Sequence, residues 1–531
     1  MKPIREKYFG ISVPSNLSRA IIALIVVMLQ TVPLWADDQP QWGQRFSRNM
    51  VSDETGLCET FDPGRRDHET GDIDPATTKN VKWVARLGGQ SNCPPVVAGG
   101  KIFVGTNNQA PRDPRIEGDR GILLCFDEAT GRFLWQLAVP KMYEIKYSDW
   151  HFTGIASPPS VENGKAFIVT NRCEVVCLDV NGMADGNQGP YKDEGTHMMP
   201  VVDRERRPID NSGGPLVPGK ADADILWLYD MAAEDGVRPH NASNCSVLID
   251  GERLYVCTSN GVEWTHSRVN NPAAPTLIVL DRKTGKRLAR DDFNLGIDII
   301  HGQWSSPALG MVNGCKQIYQ GTGKGYLFAI ESLAAGADTT KTVWFFNGHP
   351  LAQTQDVVPL EYGYHTQSYE ITANPVFDKN RVYLAITQDP WHSGKTGWFV
   401  CIDAGGKGDV TRSGLVWSYK DLGKSISTAS IHDGLVYIAG FDGRLHCLDA
   451  ETGKPYWVHE AGGPIWGSTL VADGKVYLGT GRQTFWVLRA GKQLEVISKI
   501  RMRDRICTTP VAANGVLYVA TYKHLYAIEK P

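Results

Sequence analysis

The 531-residue chain lacks the short signatures that most soluble enzymes carry. It has no CxxC pair, no CxxCH haem-attachment site, no adjacent cysteines, and no GxSxG, HExxH or P-loop motif. The common thiol-redox, haem, serine-hydrolase, zinc-protease and phosphate-binding chemistries therefore lack their usual local scaffolds. Charge of either sign is not in excess: 55 Lys and Arg stand against 58 Asp and Glu. That balance leaves no basic footprint for nucleic acid or for an anionic membrane surface. The one long apolar run, Ala20–Leu29, is too short to span a bilayer easily, and Gln30 and Pro33 close it.

What the chain does have is repetition. In Ser427–Trp457, four short apolar runs are separated by His-Asp-Gly, Asp442-Gly443 and Glu451-Thr452-Gly453-Lys454. Asp-Gly between apolar runs favours a tight hairpin, because glycine accepts the positive φ of a primed turn. The stretch reads as a four-stranded antiparallel sheet. Its core recurs eight times, for example as PPVVAGGKIFVGT at 94–106 and STLVADGKVYLGT at 468–480. Such a sheet cannot bury both faces alone, and four-strand units of this length stack radially into a propeller. The expected fold is all-β: an eight-bladed β-propeller of four-stranded antiparallel blades. The last copy ends at Tyr526-Ala527-Ile528 without a fourth strand, and Val81-Lys82-Trp83-Val84 resembles one, so an N-terminal strand is expected to close the ring.

Residues 1–36 read as an export signal: Lys2, Arg5, Lys7 and Arg19 lead the apolar run, and Leu34-Trp35-Ala36 is an acceptable cleavage site. No cysteine stands at that point to carry a lipid. Residues 37–80 show no period and read as an irregular arm, and 81–531 as the propeller. Removal of the leader would leave a mildly acidic, exported chain, periplasmic or secreted, with no stable membrane insertion.

Repeat spacing places function. The turns between the first and second strands are minimal, while insertions at 107–121, 136–154, 229–243, 260–276, 290–303, 347–370 and 388–397 fall on the opposite face. Long loops on a rigid scaffold are where binding concentrates. A separate insertion, 182–225, is expected to hang on the face of the short turns. The loop-rich face carries Asp149-Trp150-His151, His240-Asn241, Asn260, Glu263-Trp264-Thr265-His266, His301-Gly302-Gln303-Trp304, His365, Glu370, Asn374 and Asp389-Pro390-Trp391-His392. Converging polar and aromatic groups at a channel mouth mark a ligand- or partner-binding face. The 11 cysteines follow the repeat: Cys125, Cys177, Cys401 and Cys447 each sit two residues before an Asp, as small apolar fillers between blades.

The G-K-V-Y-x-G-T units, followed by L-x-x-L-D-x-x-T-G-K-x-x-W, resemble the PQQ-like repeat of the quinoprotein alcohol dehydrogenase-like propeller superfamily. The match is clearest at Asp127–Trp135 and Asp449–Trp457. The resemblance covers about 81–531 and assigns Trp135 and Trp457 as tryptophans that dock one blade on the next. It implies two classes of function. One is a non-catalytic exported scaffold, distantly similar to the assembly protein BamB, binding an envelope protein, peptide or glycan and needing no cofactor. The other is a PQQ-dependent alcohol or sugar dehydrogenase. PQQ with Ca²⁺ would then call for oxygen ligands (Glu370 with Asn374, or Glu263 with Asn260), a base (Asp389 or Asp149) and an aromatic floor (Trp304). The missing adjacent-cysteine pair favours the first.

Overall fold

Eight blades of four antiparallel strands, one of them extended by a short parallel fifth strand, Gly408–Asp409, follow one another around a central axis in the computed structural model, which describes residues 37–297, 299, 301–355, 368–389, 391 and 396–530. The inner strands of blades 1 to 8 are Val96–Ala98, Ser160–Glu162, Leu248–Asp250, Ala308–Val312, Val376–Asp378, Ser430–His432, Leu470–Ala472 and Val511–Ala513. The outer strand of blade 8 is Val81–Arg86, paired antiparallel with His524–Ile528, so the N-terminal strand closes the ring. The proposed leader, 1–36, lies outside the described residues. Helix is confined to pieces of four residues or fewer among the described residues, and none is long and apolar enough to cross a membrane.

One cross-section repeats in every blade. An aromatic on the second strand faces a third-strand residue, Cys or Ala in six blades and Val279 or Val487 in blades 3 and 7, which faces the docking position on the fourth, as in Tyr437, Cys447 and Trp457. A large third-strand residue would collide with both rings, which accounts for Cys125, Cys177, Cys401 and Cys447 at these positions. Six blades place tryptophan at the docking position, and each indole donates to a carbonyl of the next blade: Trp83 to Glu128, Trp135 to Val180, Trp227 to Arg282, Trp344 to Ala404, Trp417 to Ala450 and Trp457 to Gly491, at 2.9–3.2 Å. Ala289 and Ser498 take the position in blades 3 and 7. The D-x-x-T-G turn has a matching reason. Asp449 accepts from the Thr452 amide and hydroxyl, and Gly453 sits at φ +70 where a Cβ would stand 2.3 Å from the Trp417 ring. All 11 cysteines are free thiols.

Near the start of the inner strands, side-chain oxygens tie successive blades together. Ser246 N donates to Ser306 Oγ, Ser306 N to Asn374 Oδ1, Asn374 N to Thr428 Oγ1, Thr428 N to Ser468 Oγ and Ser468 N to Thr509 Oγ1, all within 2.8–3.1 Å. These bonds satisfy backbone donors that no neighbouring strand could reach.

The irregular arm has a specific path. Residues 39–54 bond to the inner-strand region of every blade: Gln39 pairs with Val97, Pro40 O accepts from Val161, Phe46 O from Leu309 and Ser47 O from Phe377. Asn49 exchanges two bonds with Ile431, Val51 pairs with Val471, and Ser52 Oγ donates to Ala512 O. Arg48, with no exposed surface, supplies blade 3 through Ser246 and Val247. Asp38 and Glu54 accept from the turn amides Gly99, Asn514 and Gly515, so the arm crosses the ring on the short-turn face.

The 182–225 insertion departs from the sequence expectation. It leaves the short-turn face beneath Trp135, then runs up the outside of blades 1 and 2. Met198 and Leu216 pack with Ile116, and Arg115 donates to Val217 O at 2.8 Å. Met183 and Met198 are buried against the blade edges, so it does not hang free, while Val201 and Val217 stay exposed.

Candidate functional site

Three loops on the face opposite the arm are laced together by backbone pairs. Pro239 pairs with Asn260, Gly261 with Gly302, and Val262 with Val269, while Val262 N donates to His301 O at 2.9 Å. Two glycines make the approach possible. A Cβ at Gly261 would lie 2.7 Å from His301 O and 2.9 Å from His240 Cβ; one at Gly302 would lie 2.5 Å from the Trp304 ring. The hairpin tip is held by Glu263, which accepts from Thr265 N at 2.8 Å and Ser267 N at 3.1 Å. Burial works against the charged form of Glu263, yet the donors of Thr265 and Ser267 outweigh it and hold its pKa down at about 2.

This lacing gathers residues distant in sequence. The rings of His240, His266 and His301 lie 4.2, 4.5 and 5.0 Å apart, centroid to centroid. One ligating atom from each falls within 4.8 Å of the others, and His301 does the same with Glu370 and Asp389. His240 Nδ1 is 2.9 Å from Val262 O, His266 Nδ1 is 3.3 Å from Trp264 O, and His301 Nδ1 is 3.1 Å from Asp389 Oδ2. Glu370 is buried, tied through its backbone to Thr387, and Oε2 has no hydrogen-bond partner among the described residues. Desolvation, followed by the nearby Asp389 charge, pushes its pKa well above the usual carboxyl range. Aromatic rings wall the cluster: Trp391 lies 5.7 Å from His301, 5.8 Å from Trp304 and 6.0 Å from Trp466, centroid to centroid, and Phe441 packs edge-on against Trp466.

Beside the cluster stands an exposed aromatic ladder. Tyr147 stacks between Trp150 and Trp264, at 5.6 and 6.3 Å, and Lys146 Nζ sits 3.9 Å over the Trp264 ring. Asn241 links the ladder to the histidine loop, its N–H donating to Tyr147 O at 2.7 Å and its carbonyl accepting from Trp150 N at 2.6 Å. Trp150, Trp264 and Trp391 are the exposed tryptophans among the described residues, and all three belong to the long loops. His151 packs against Tyr143 and Trp150; its pKa is lowered by partial burial and then by Arg204 of the insertion.

Other candidates are committed elsewhere. Asp149 is buried in an ion pair with Lys141 and accepts from Asn171 at 2.8 Å. Asn374 Oδ1 is taken by Ser306 N and Asn260 Oδ1 by Arg238 N. Trp304 is buried, donates to Ala242 O, and has Gly302 against its ring. His365 and His392 lie outside the described residues. Of the oxygen ligands a Ca²⁺-bound quinone would need, Asn374, Asn260 and Glu263 are in use while Glu370 keeps an unbonded Oε2 among the described residues; the aromatic floor is buried, and the donors gathered at the mouth are mostly imidazole nitrogens, which suit softer ions. Among the described residues, this set does not fit PQQ with Ca²⁺. Arg48, Phe441 and Trp466 escaped sequence reasoning: single residues in short turns or an aperiodic arm carry no period that would single them out.

The family described as outer membrane protein assembly factor BamB matches residues 119–362 and 389–495, about two thirds of the chain. No curated relative matches. Among solved structures, BamB from Moraxella catarrhalis superposes with a TM-score of 0.51 at 12% identity, over 84% of this chain and 99% of that one. A europium-containing methanol dehydrogenase superposes with a TM-score of 0.57 at 12% identity, over 95% of this chain and 99% of that one. At such identity these likenesses speak for the fold.

Proposed function

The chain belongs to the outer membrane protein assembly factor BamB family, and from that premise we propose that it is an exported, non-catalytic binding scaffold of the cell envelope, capturing a polypeptide partner on the loop-rich face. The observation that carries this reading is the Tyr147–Trp150–Trp264 ladder with Lys146 above it. Large, rigid rings left exposed on interlocked loops are the residue types that dominate binding energy at interfaces, and each loses little side-chain entropy on docking. Ordinary surface economy would cover or replace them. The scaffold beneath is built for rigidity, with docking tryptophans at six of the blade junctions, the side-chain ties around the axis and the arm bonded to all blades. A quinone-dependent dehydrogenase is the poorer reading, because Asn374, Asn260 and Glu263 are held by structural hydrogen bonds and Trp304 is buried.

The test is crosslinking of the purified chain in envelope extracts, followed by affinity measurement with the partner identified. Trp150→Ala and Trp264→Ala are expected to keep the thermal midpoint and each weaken binding by about 10-fold or more, a hot-spot effect of 1.4 kcal/mol or greater. Capture unchanged in the double variant would overturn the reading, and so would a glycan as the only ligand recovered.

A further inference from the structure

We infer that His240, His266 and His301 form a binding site for one divalent first-row transition ion of the zinc class. The inference goes beyond partner capture, and the site would bind its ion with no partner present. Four observations converge on it.

The first is distance. Three imidazoles from three loops place one ligating atom each within 4.8 Å of the others, close enough that small ring rotations bring the nitrogens to about 2 Å from a shared centre. The second is orientation. Nδ1 of two rings bonds a backbone carbonyl, His240 to Val262 O at 2.9 Å and His266 to Trp264 O at 3.3 Å, and His301 Nδ1 stands 3.1 Å from Asp389 Oδ2 in a close electrostatic contact. A hydrogen on Nδ1 of His240 and His266 satisfies both carbonyls and leaves the Nε2 lone pair as the ligating atom of each ring. This is the arrangement by which outer oxygens fix the tautomer and raise the basicity of ligating histidines. The third is chemistry. Neutral imidazoles suit zinc, copper or nickel and serve calcium or magnesium poorly. The fourth is charge and surroundings. Asp389 supplies negative charge beside His301, and the buried Glu370 carboxyl, whose Oε2 lacks a hydrogen-bond partner among the described residues, stands at the same point. The Trp304 and Trp391 rings keep the local dielectric low. Edge-to-face packing alone would explain ring contacts, but not two Nδ1–carbonyl bonds and two carboxyl groups at one point.

The experiment uses the full chain without a polyhistidine tag, stripped with chelator and titrated with Zn²⁺ by calorimetry and with Co²⁺ by visible absorbance. The expected result is one equivalent of either ion, with the d–d bands of four-coordinate cobalt. His266→Ala, at a loop tip, is expected to weaken uptake by more than about 100-fold, and Asp389→Asn by about 10–100-fold through the lost outer contact. His432→Ala, a surface histidine beside Asp433, is expected to change nothing. His266→Gln serves as the second ligand variant, and thermal midpoints of both are measured first. Failure of the wild-type chain to take up a stoichiometric ion would overturn the site. So would uptake that survives His266→Ala and His266→Gln in folded protein.

Discussion

Arg48 is the sharpest test of how the arm and the ring depend on each other. Its guanidinium is buried with no carboxylate beside it, and five bonds satisfy it: Nε to Pro307 O, Nη1 to Trp42 O and Ser246 Oγ, and Nη2 to Ser246 O and Val247 O, at 2.7–3.2 Å. Charge-assisted bonds contribute about 1.5 kcal/mol each at the low end, or about 7 kcal/mol for the set. Burial opposes this: desolvation, offset in part by Cys245, draws the Arg48 pKa down from 12.5 to about 10. At about 1.4 kcal/mol per pKa unit, that is about 3 kcal/mol against the charged form. The balance favours the native arrangement by about 4 kcal/mol. Arg48→Met keeps the aliphatic volume, removes all five bonds and strands buried carbonyls of blades 3 and 4. Urea unfolding followed by tryptophan fluorescence is expected to show that loss, with Arg48→Lys intermediate because an ammonium has three donors in place of five. A loss below about 1 kcal/mol for Arg48→Met would refute the claim that this side chain locks the arm to the ring.

Other outcomes follow from the same geometry. Trp457→Ala is expected to cost about 3–5 kcal/mol through the cavity and the lost bond to Gly491, and Trp457→Phe less, both read from unfolding midpoints. Gly453→Ala should destabilise by more than about 1 kcal/mol, because φ +70 and the Trp417 ring both oppose a Cβ. Burial, and then Arg444, lowers the pKa of His446 to about 4; its Nδ1 lies 3.0 Å from the Tyr419 hydroxyl, between blades 5 and 6. The unfolded chain then binds a proton below about pH 6.5 that the folded chain refuses until about pH 4. Stability should fall by about 3 kcal/mol as pH drops through that window, and His446→Gln should flatten the slope. Deleting 37–84 should destabilise the whole ring in a calorimetric scan, since blade 8 loses its outer strand and every blade loses a contact with the arm.

Much of the architecture was legible in the sequence because it repeats. Asp473-Gly474 and its counterparts fix the turns, the aromatic–small–Trp rows fix the packing, and the absent fourth strand after Ile528 fixes closure by Val81–Arg86. Each of these signals is local and appears many times over. The loop-rich face was legible too, from spacing alone. The histidines were named there as well, but their convergence was not legible. His240, His266 and His301 stand among thirteen histidines with no shared interval, and only the Gly261–Gly302 approach and the Pro239–Asn260 pairing bring them to one point. Asn374 and Asp149 looked equally functional in sequence; tertiary contacts assign the first to the tie between blades and the second to Lys141. The arm shows the same division. Nothing periodic marks residues 39–54, because their partners are eight strands that only the closed ring brings together. Periodicity records what each blade must do for itself, and the three-dimensional structure decides what the blades do jointly.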